Sequence, residues 1–140
     1  MILADTGYWV GLLSRSDKFH SAALSAESVV GDETLVTTWP VVTEACFLIL
    51  RDNDAGRVIE FLGAVREGAA EIHDLPKDAP VRIEKLMRKY RSLPMDLADA
   101  SLIVLAEELD EGRILTTDHR DFGTYRWKKT MPFRNLLPSA

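Results

Sequence analysis

Short uninterrupted apolar blocks alternate along this chain with longer stretches whose apolar residues recur three and four positions apart. The blocks suit buried strands, and the longer stretches suit helices that bury one face. Residues 1–4 predict a strand ending at Asp5, and 6–13 carry helix-compatible spacing. Ser16 and Asp17 are N-cap candidates for a helix over 18–28. A turn at 31–33 leads to a second strand, 35–37. Thr38 then caps a helix running to Arg51, with Pro40 in the first turn, where a missing N–H costs little. Asp54 opens a further helix, with Val58, Ile59, Leu62 and Val65 as its apolar face and Gly68 as its stop.

Residues 71–75 predict a third strand, and Asp78 with Pro80 begins a helix striped by Ile83, Leu86, Met87 and Tyr90. The stretch 94–121 organises the rest. Its apolar run, 97–109, is too long for a strand and opens on Asp96 and Asp99. Gly112 punctuates it, and 113–117 reads as a buried fourth strand with Asp118 at its end. Residues 131–137 predict a last short strand or an extended tail. Strands alternating with helices call for a parallel sheet covered on both faces. The expectation is an α/β fold, a three-layer α/β/α domain spanning 1–140, with no internal repeat or linker.

Composition narrows the picture without changing it. At 140 residues, 46% hydrophobic and 28% charged, the chain suits a globular domain with a real core. No apolar run reaches the roughly 18 residues of a membrane span. The apolar N-terminus lacks a basic region and carries Asp5, so a signal peptide is not expected. The single cysteine, Cys46, fits a reducing, cytoplasmic setting, and its apolar helix predicts an inert core thiol. A net charge of −5 disfavours a passive nucleic-acid binder but not an enzyme with an acidic pocket.

The acids carry the candidate chemistry. In a parallel sheet the C-terminal strand ends share one edge, where ligands bind. That edge would bring Asp5 and Asp118 together, with Asp99 in the first turn of the preceding helix. Glu44 interrupts an otherwise apolar helix, where burying a carboxylate is costly. Taken singly, each acid has a plain explanation as a cap, a turn residue or a solvated side chain. Taken together, clustered carboxylates must take up protons or hold a cation. Oxygen ligands without cysteine or histidine favour Mg²⁺ or Mn²⁺.

The opening ILADTGYWVGLL, the helix TEACFLIL, the segment DLADASLIVLAEE, and RILTTDHRDF with a closing FRNLLP resemble, in order and spacing, a PIN-domain ribonuclease. The resemblance is to the toxin subunit of type II toxin–antitoxin modules, the VapC-like proteins. It implies a short central parallel sheet of four to five strands. It also implies a metal-dependent endoribonuclease whose acids fall on Asp5, Glu44, Asp99 and Asp118. Mg²⁺ or Mn²⁺ held mainly by Asp5 and Asp99 would activate water for attack on an RNA phosphodiester. Thr116 matches a hydroxyl position that often precedes the last acid. Asp96, Thr6 and Asp121 would support the site. The resemblance further implies a small antitoxin as partner and a homodimer; given the lack of a long apolar run, no membrane association is expected.

Arg82, Lys85, Arg88 and Lys89, with Lys128 and Lys129, are candidate RNA contacts, and Tyr125 and Trp127 candidate base-stacking residues. Tyr8, Trp9 and Trp39 are expected in the core or at a dimer interface, and His119 on the surface. Two alternatives remain open. One is a protein-binding module whose acids serve only as caps. The other is a phosphatase with Asp5 as nucleophile, weakened by the lack of an acid two residues later. The triplet Asp5-Thr6-Gly7 also occurs in aspartic proteases, but the helical spacing around it does not suit their all-β setting.

Overall fold

The computed structural model describes residues 1–139. Strand β1 (Ile2–Ala4) leads into helices α1 (Thr6–Leu13) and α2 (His20–Val30). Strand β2 (Leu35–Thr38) is followed by α3 (Trp39–Asp52) and α4 (Ala55–Arg66). Strand β3 (Glu71–His73) precedes α5 (Ala79–Lys89) and α6 (Leu97–Leu109). Then come β4 (Arg113–Leu115), α7 (His119–Thr124), β5 (Arg126–Trp127), β6 (Met131–Pro132) and β7 (Arg134–Asn135).

Five strands form one parallel sheet in the order β3-β2-β1-β4-β7, flanked by the helices in three layers. The chain steps outward from β1 to β3 and then returns to the other side of β1. The strand order therefore reverses between β1 and β4, where a parallel sheet opens a crevice beyond its strand ends. Asp5 and the segment 116–118 follow these two strands.

Helix α6 is the centre of the packing. Residues 100–106 are all buried, because the helix is apolar on every side and has no face for water. Its one buried polar group is satisfied: the Ser101 hydroxyl donates to the Ala98 carbonyl at 2.7 Å and accepts from Thr38 Oγ1 at 2.7 Å. Thr38 also caps α3 through the Val41 N–H, as the sequence predicts. Opposite the crevice, Arg113 ties the other end of the sheet together by binding Glu33, Glu111 and the Met1 carbonyl.

Several expectations need correction. Helix α2 starts at His20 rather than residue 18, and neither Ser16 nor Asp17 caps it: the N-cap is Phe19, without a side-chain cap, and Asp17 holds the preceding turn by accepting from Phe19 N at 2.9 Å. Ile59 and Leu62 are 69% and 43% exposed. Helix α4 is anchored instead by fully buried Phe61, whose ring lies 5.4 Å from Trp9, a contact that a simple stripe count does not see. Phe61→Ala should cost about 3–5 kcal/mol in a urea melt by leaving a cavity against Trp9. The third and fourth strands end two residues early, at His73 and Leu115. The predicted last strand divides: β6 pairs antiparallel with β5, and β7 joins the main sheet. Helix α7 and strand β5, which the apolar pattern does not predict, are too short to show a period. Helix α6 ends on Asp110 in left-handed conformation, φ 54°, and not through Gly112. Gly112 instead leaves room for the Trp127 indole, which a Cβ would approach to 2.6 Å.

Candidate functional site

The crevice between β1 and β4 is an acidic pocket of about 410 Å³. Asp5, Glu44, Asp96, Asp99, Asp118 and Asp121 all line it, together with Thr6, Gly7 and Thr117. Asp5, Asp96 and Asp118 are the N-caps of α1, α6 and α7, accepting from the N–H groups of Thr6, Asp99 and Asp121. Three helix N-termini therefore meet at the pocket, and their dipoles favour negative charge there. Capping and clustering are not competing explanations for these acids: the caps are what aim them at one place.

Asp5 is held most tightly. It is 5% exposed, its Oδ1 accepts from Thr6 N at 2.7 Å, and its Oδ2 accepts from the Thr116 hydroxyl at 2.7 Å. The Thr116 hydroxyl in turn accepts from Asp118 N at 3.0 Å, coupling Asp5 to the fourth-strand acid. Both Asp5 oxygens are committed, which suits a fixed acid better than a free nucleophile and weakens the phosphatase alternative. Asp99 Oδ2 accepts from the Tyr125 hydroxyl at 2.9 Å. Carboxylate oxygens of Asp99, Asp118 and Asp121 lie within 4.8 Å of one another. Asp121, expected only in support, thus joins the tightest group, because α7 turns it back toward its own cap.

The cluster alters its own titration. Burial, then the charges of Asp5 and Asp96, push the Asp99 carboxyl up to about 8. Burial pushes Asp5 up to about 6, against the hydrogen bonds from Thr116 and Thr6. Burial, with the Asp96 and Asp5 charges, raises Glu44 to about 7. Asp118 is raised as well, chiefly by burial. Carboxylates about 4 Å apart repel by roughly 4 kcal/mol at an effective dielectric near 20. The pocket is built to hold protons or a cation.

A divalent ion fits this donor set. The tight group is all oxygen, and Asp99 Oδ1 and Asp118 Oδ2 make no hydrogen bond among the described residues. The Thr6 hydroxyl is buried and lacks a hydrogen-bond partner, although it lies near Glu44. Such donors suit Mg²⁺ or Mn²⁺.

The profile of the PIN domain matches residues 2–128. The chain belongs to the PIN-domain family. Membership points to a hydrolase of the nuclease type. No curated protein matches the sequence. In fold, this PIN domain is similar to the crystal structure of Mycobacterium tuberculosis VapC20, a sarcin–ricin loop cleaving toxin. The TM-score is 0.77 at 15% identity, over 86% of this chain and 92% of that one.

The PIN domain places the predicted basic residues elsewhere. Arg82, Lys85, Arg88, Lys89, Lys128 and Lys129 do not line the acidic pocket. Arg82 binds Asp78, Glu107 and Glu108, Arg88 binds Glu84, and Lys128 binds Asp110. Tyr125 and Trp127 are buried, so neither offers a face to a base. The cations at the pocket are Lys18 and Arg51, the latter paired with Asp52. Nothing in the sequence singled these out, nor Tyr125 as the partner of Asp99.

Thr116 gives the site a direct test. Thr116→Val keeps the shape but leaves Asp5 Oδ2 and the Asp118 N–H unpartnered. Stability in urea should fall by about 1–3 kcal/mol, while Thr116→Ser stays near wild type.

Proposed function

We propose that this PIN domain is a metal-dependent endoribonuclease that hydrolyses RNA phosphodiester bonds. The observation carrying the proposal is the convergence of Asp5, Asp96, Asp99, Asp118 and Asp121 on one pocket at the switch in strand order. RNA as substrate is supported by likeness of fold to a toxin that cleaves the sarcin–ricin loop.

Asp99, Asp118 and Asp121 would hold Mg²⁺ or Mn²⁺, with Asp5, Glu44 and Asp96 around them. When bound, such an ion supplies charge stabilisation at the phosphoryl oxygens and a more acidic water. The protein's own part is positioning. Thr116 fixes Asp5, Tyr125 fixes Asp99, and the helix caps fix Asp96 and Asp118. Glu44, half-buried and raised to about 7, can take or give a proton at its carboxyl near neutral pH.

We further propose a toxin role in the cytoplasm, restrained by a small antitoxin, and a homodimer. Trp39, expected in the core or at an interface, is 54% exposed. With Pro40, Phe47 and Leu97 it lines an apolar groove that shares Glu44 and Asp96 with the acidic pocket. A partner seated there would overhang the acids. Among the described residues, no helix is long and apolar enough to cross a membrane.

Incubating purified protein with cellular RNA and sequencing the new 5′ ends tests the proposal. Cleavage should require Mg²⁺ or Mn²⁺, stop with chelator, and be missing in Asp5→Asn. A metal-replete protein that cuts no RNA would overturn the assignment.

A further inference from the structure

One wall of the acidic pocket carries an aromatic ring and a cation beside a single acid, Asp17. Lys18 and Phe19 line it from the turn between α1 and α2. The turn is firmly held: Asp17 Oδ2 accepts from Phe19 N at 2.9 Å, and the His20 imidazole donates from Nδ1 to the Gly11 carbonyl at 2.8 Å. Gly11 permits this closure, since a Cβ there would stand 3.3 Å from the Phe19 carbonyl oxygen. Yet the Phe19 ring is only half-buried and does not join the hydrophobic core. Its neighbour is the exposed ring of His119, directly after Asp118. The ring centroids are 6.5 Å apart and the planes 29° from parallel. Lys18 Nζ lies 5.2 Å from the Phe19 centroid and has no carboxylate partner among the described residues.

His119 is held from the opposite side. Asn135 Oδ1 accepts from the N–H groups of Thr116 at 3.2 Å and Leu137 at 3.0 Å, so its amide orientation is fixed. Its Nδ2 must then donate, to the Thr116 carbonyl at 2.9 Å and to His119 Nδ1 at 3.1 Å. His119 is therefore the tautomer carrying its proton on Nε2, with that N–H available. The last strand thus orients, through one amide, a ring that lies outside the pocket lining beside Phe19.

We propose that Phe19 and His119 form a stacking site for an unpaired RNA base beside the scissile phosphate, with Lys18 contacting the adjoining backbone. The proposal rests on the ribonuclease reading and deepens it. A base stacked parallel on one of these rings is tilted by 29° from the other and still meets both at their faces and not edge-on. Stacking on side chains is open to a base outside a duplex, since a paired base already stacks on its neighbours. Every base has a π-face, so the site predicts a preference for single strands and not for a sequence. The acids repel phosphate, and Arg51 and Arg120 are paired with Asp52 and Asp121, which gives Lys18, without a carboxylate partner among the described residues, a clear task at the rim.

The test uses Asp99→Asn protein, so that RNA is bound but not cut, and a fluorescent single-stranded oligoribonucleotide of about a dozen mixed nucleotides. A duplex of the same sequence is the comparison. Adding Phe19→Leu or His119→Ala should each weaken single-strand binding about tenfold and leave duplex binding within about twofold. In the otherwise wild-type enzyme the same changes should raise KM and largely spare kcat. Phe19→Leu keeps apolar bulk, and the exposed His119→Ala serves if Phe19→Leu lowers the melting temperature. Unchanged single-strand affinity in both variants, while the wild-type enzyme still cleaves RNA, would overturn the stacking site alone. Equal losses for single strand and duplex would also overturn it. A wild-type protein that cuts no RNA, with no RNA binding by Asp99→Asn, would remove the ribonuclease reading, and this site with it.

Discussion

Asp99→Asn should abolish RNA cleavage and, in the metal-free protein at pH 8, raise the melting temperature. The two effects have one cause. Asp99 sits in the group of oxygens closest together, and burial plus the Asp5 and Asp96 charges hold its carboxyl up to about 8. At pH 8 the unfolded chain has fully ionised this group, whereas the folded chain keeps it partly protonated at a cost. Asparagine has the same shape and no charge, so that cost disappears. A gain of about 1–2 kcal/mol, or roughly 3–6 °C for a domain of this size, is expected. At pH 4 to 5 the gain should shrink, and it should vanish only below the free value of 3.8, where the unfolded chain is protonated as well. Activity should fall by roughly a thousandfold or more, about 4 kcal/mol of lost transition-state stabilisation. Differential scanning fluorimetry at two pH values, beside a cleavage assay, reads both. A variant that is inactive and also less stable at pH 8 would mean that Asp99 is structural.

Stability of the wild-type protein without metal should fall as pH rises from about 5 to 8.5, and divalent ions should reverse much of that fall. The sign follows from proton counts. Asp5, Glu44 and Asp99 have folded-state values of about 6, 7 and 8, above the 3.8 to 4.5 of free carboxyls. Between these limits the folded chain binds more protons than the unfolded chain. Unfolding free energy therefore declines as pH increases, with the decline complete only above the highest folded value. This is opposite to the usual carboxylate paired with a cation, whose contribution is lost on acidification. A bound Mg²⁺ or Mn²⁺ replaces protons as the source of positive charge, and ligand binding to the folded state adds stability by mass action. Melting curves at pH 5.5 and 8.5, each with chelator and with millimolar Mn²⁺, should show metal stabilisation mainly at the higher pH. Equal melting temperatures under all four conditions would mean that the acids neither repel nor bind an ion.

Both expectations depend on acids arising from four places in the chain, which shows where a sequence is informative. The periodicity located β1, α1, α3 and α6 to within a residue or two, because each pairs a strong apolar pattern with a cap such as Asp5, Thr38 or Asp96. It failed where elements are short: α7 and β5 have no room for a period, and are held by the Asp118 cap and by pairing with β6. It misjudged α4 because one large residue, Phe61, outweighs two smaller ones in burial.

The sequence alone determined the alternation of strands and helices, and thereby a parallel sheet whose C-terminal edge would gather Asp5 and Asp118. It supplied the acids and the helix caps, since both are local chemistry. Only the tertiary structure decided which oxygens meet. The closeness of Asp121 to Asp99, the Thr116 bridge between Asp5 and Asp118, the hold of Tyr125 on Asp99, and the rim of Lys18, Phe19 and His119 all join residues far apart in sequence. Such contacts leave no local pattern, because packing places side chains by distance in space while periodicity reports only neighbours along the chain.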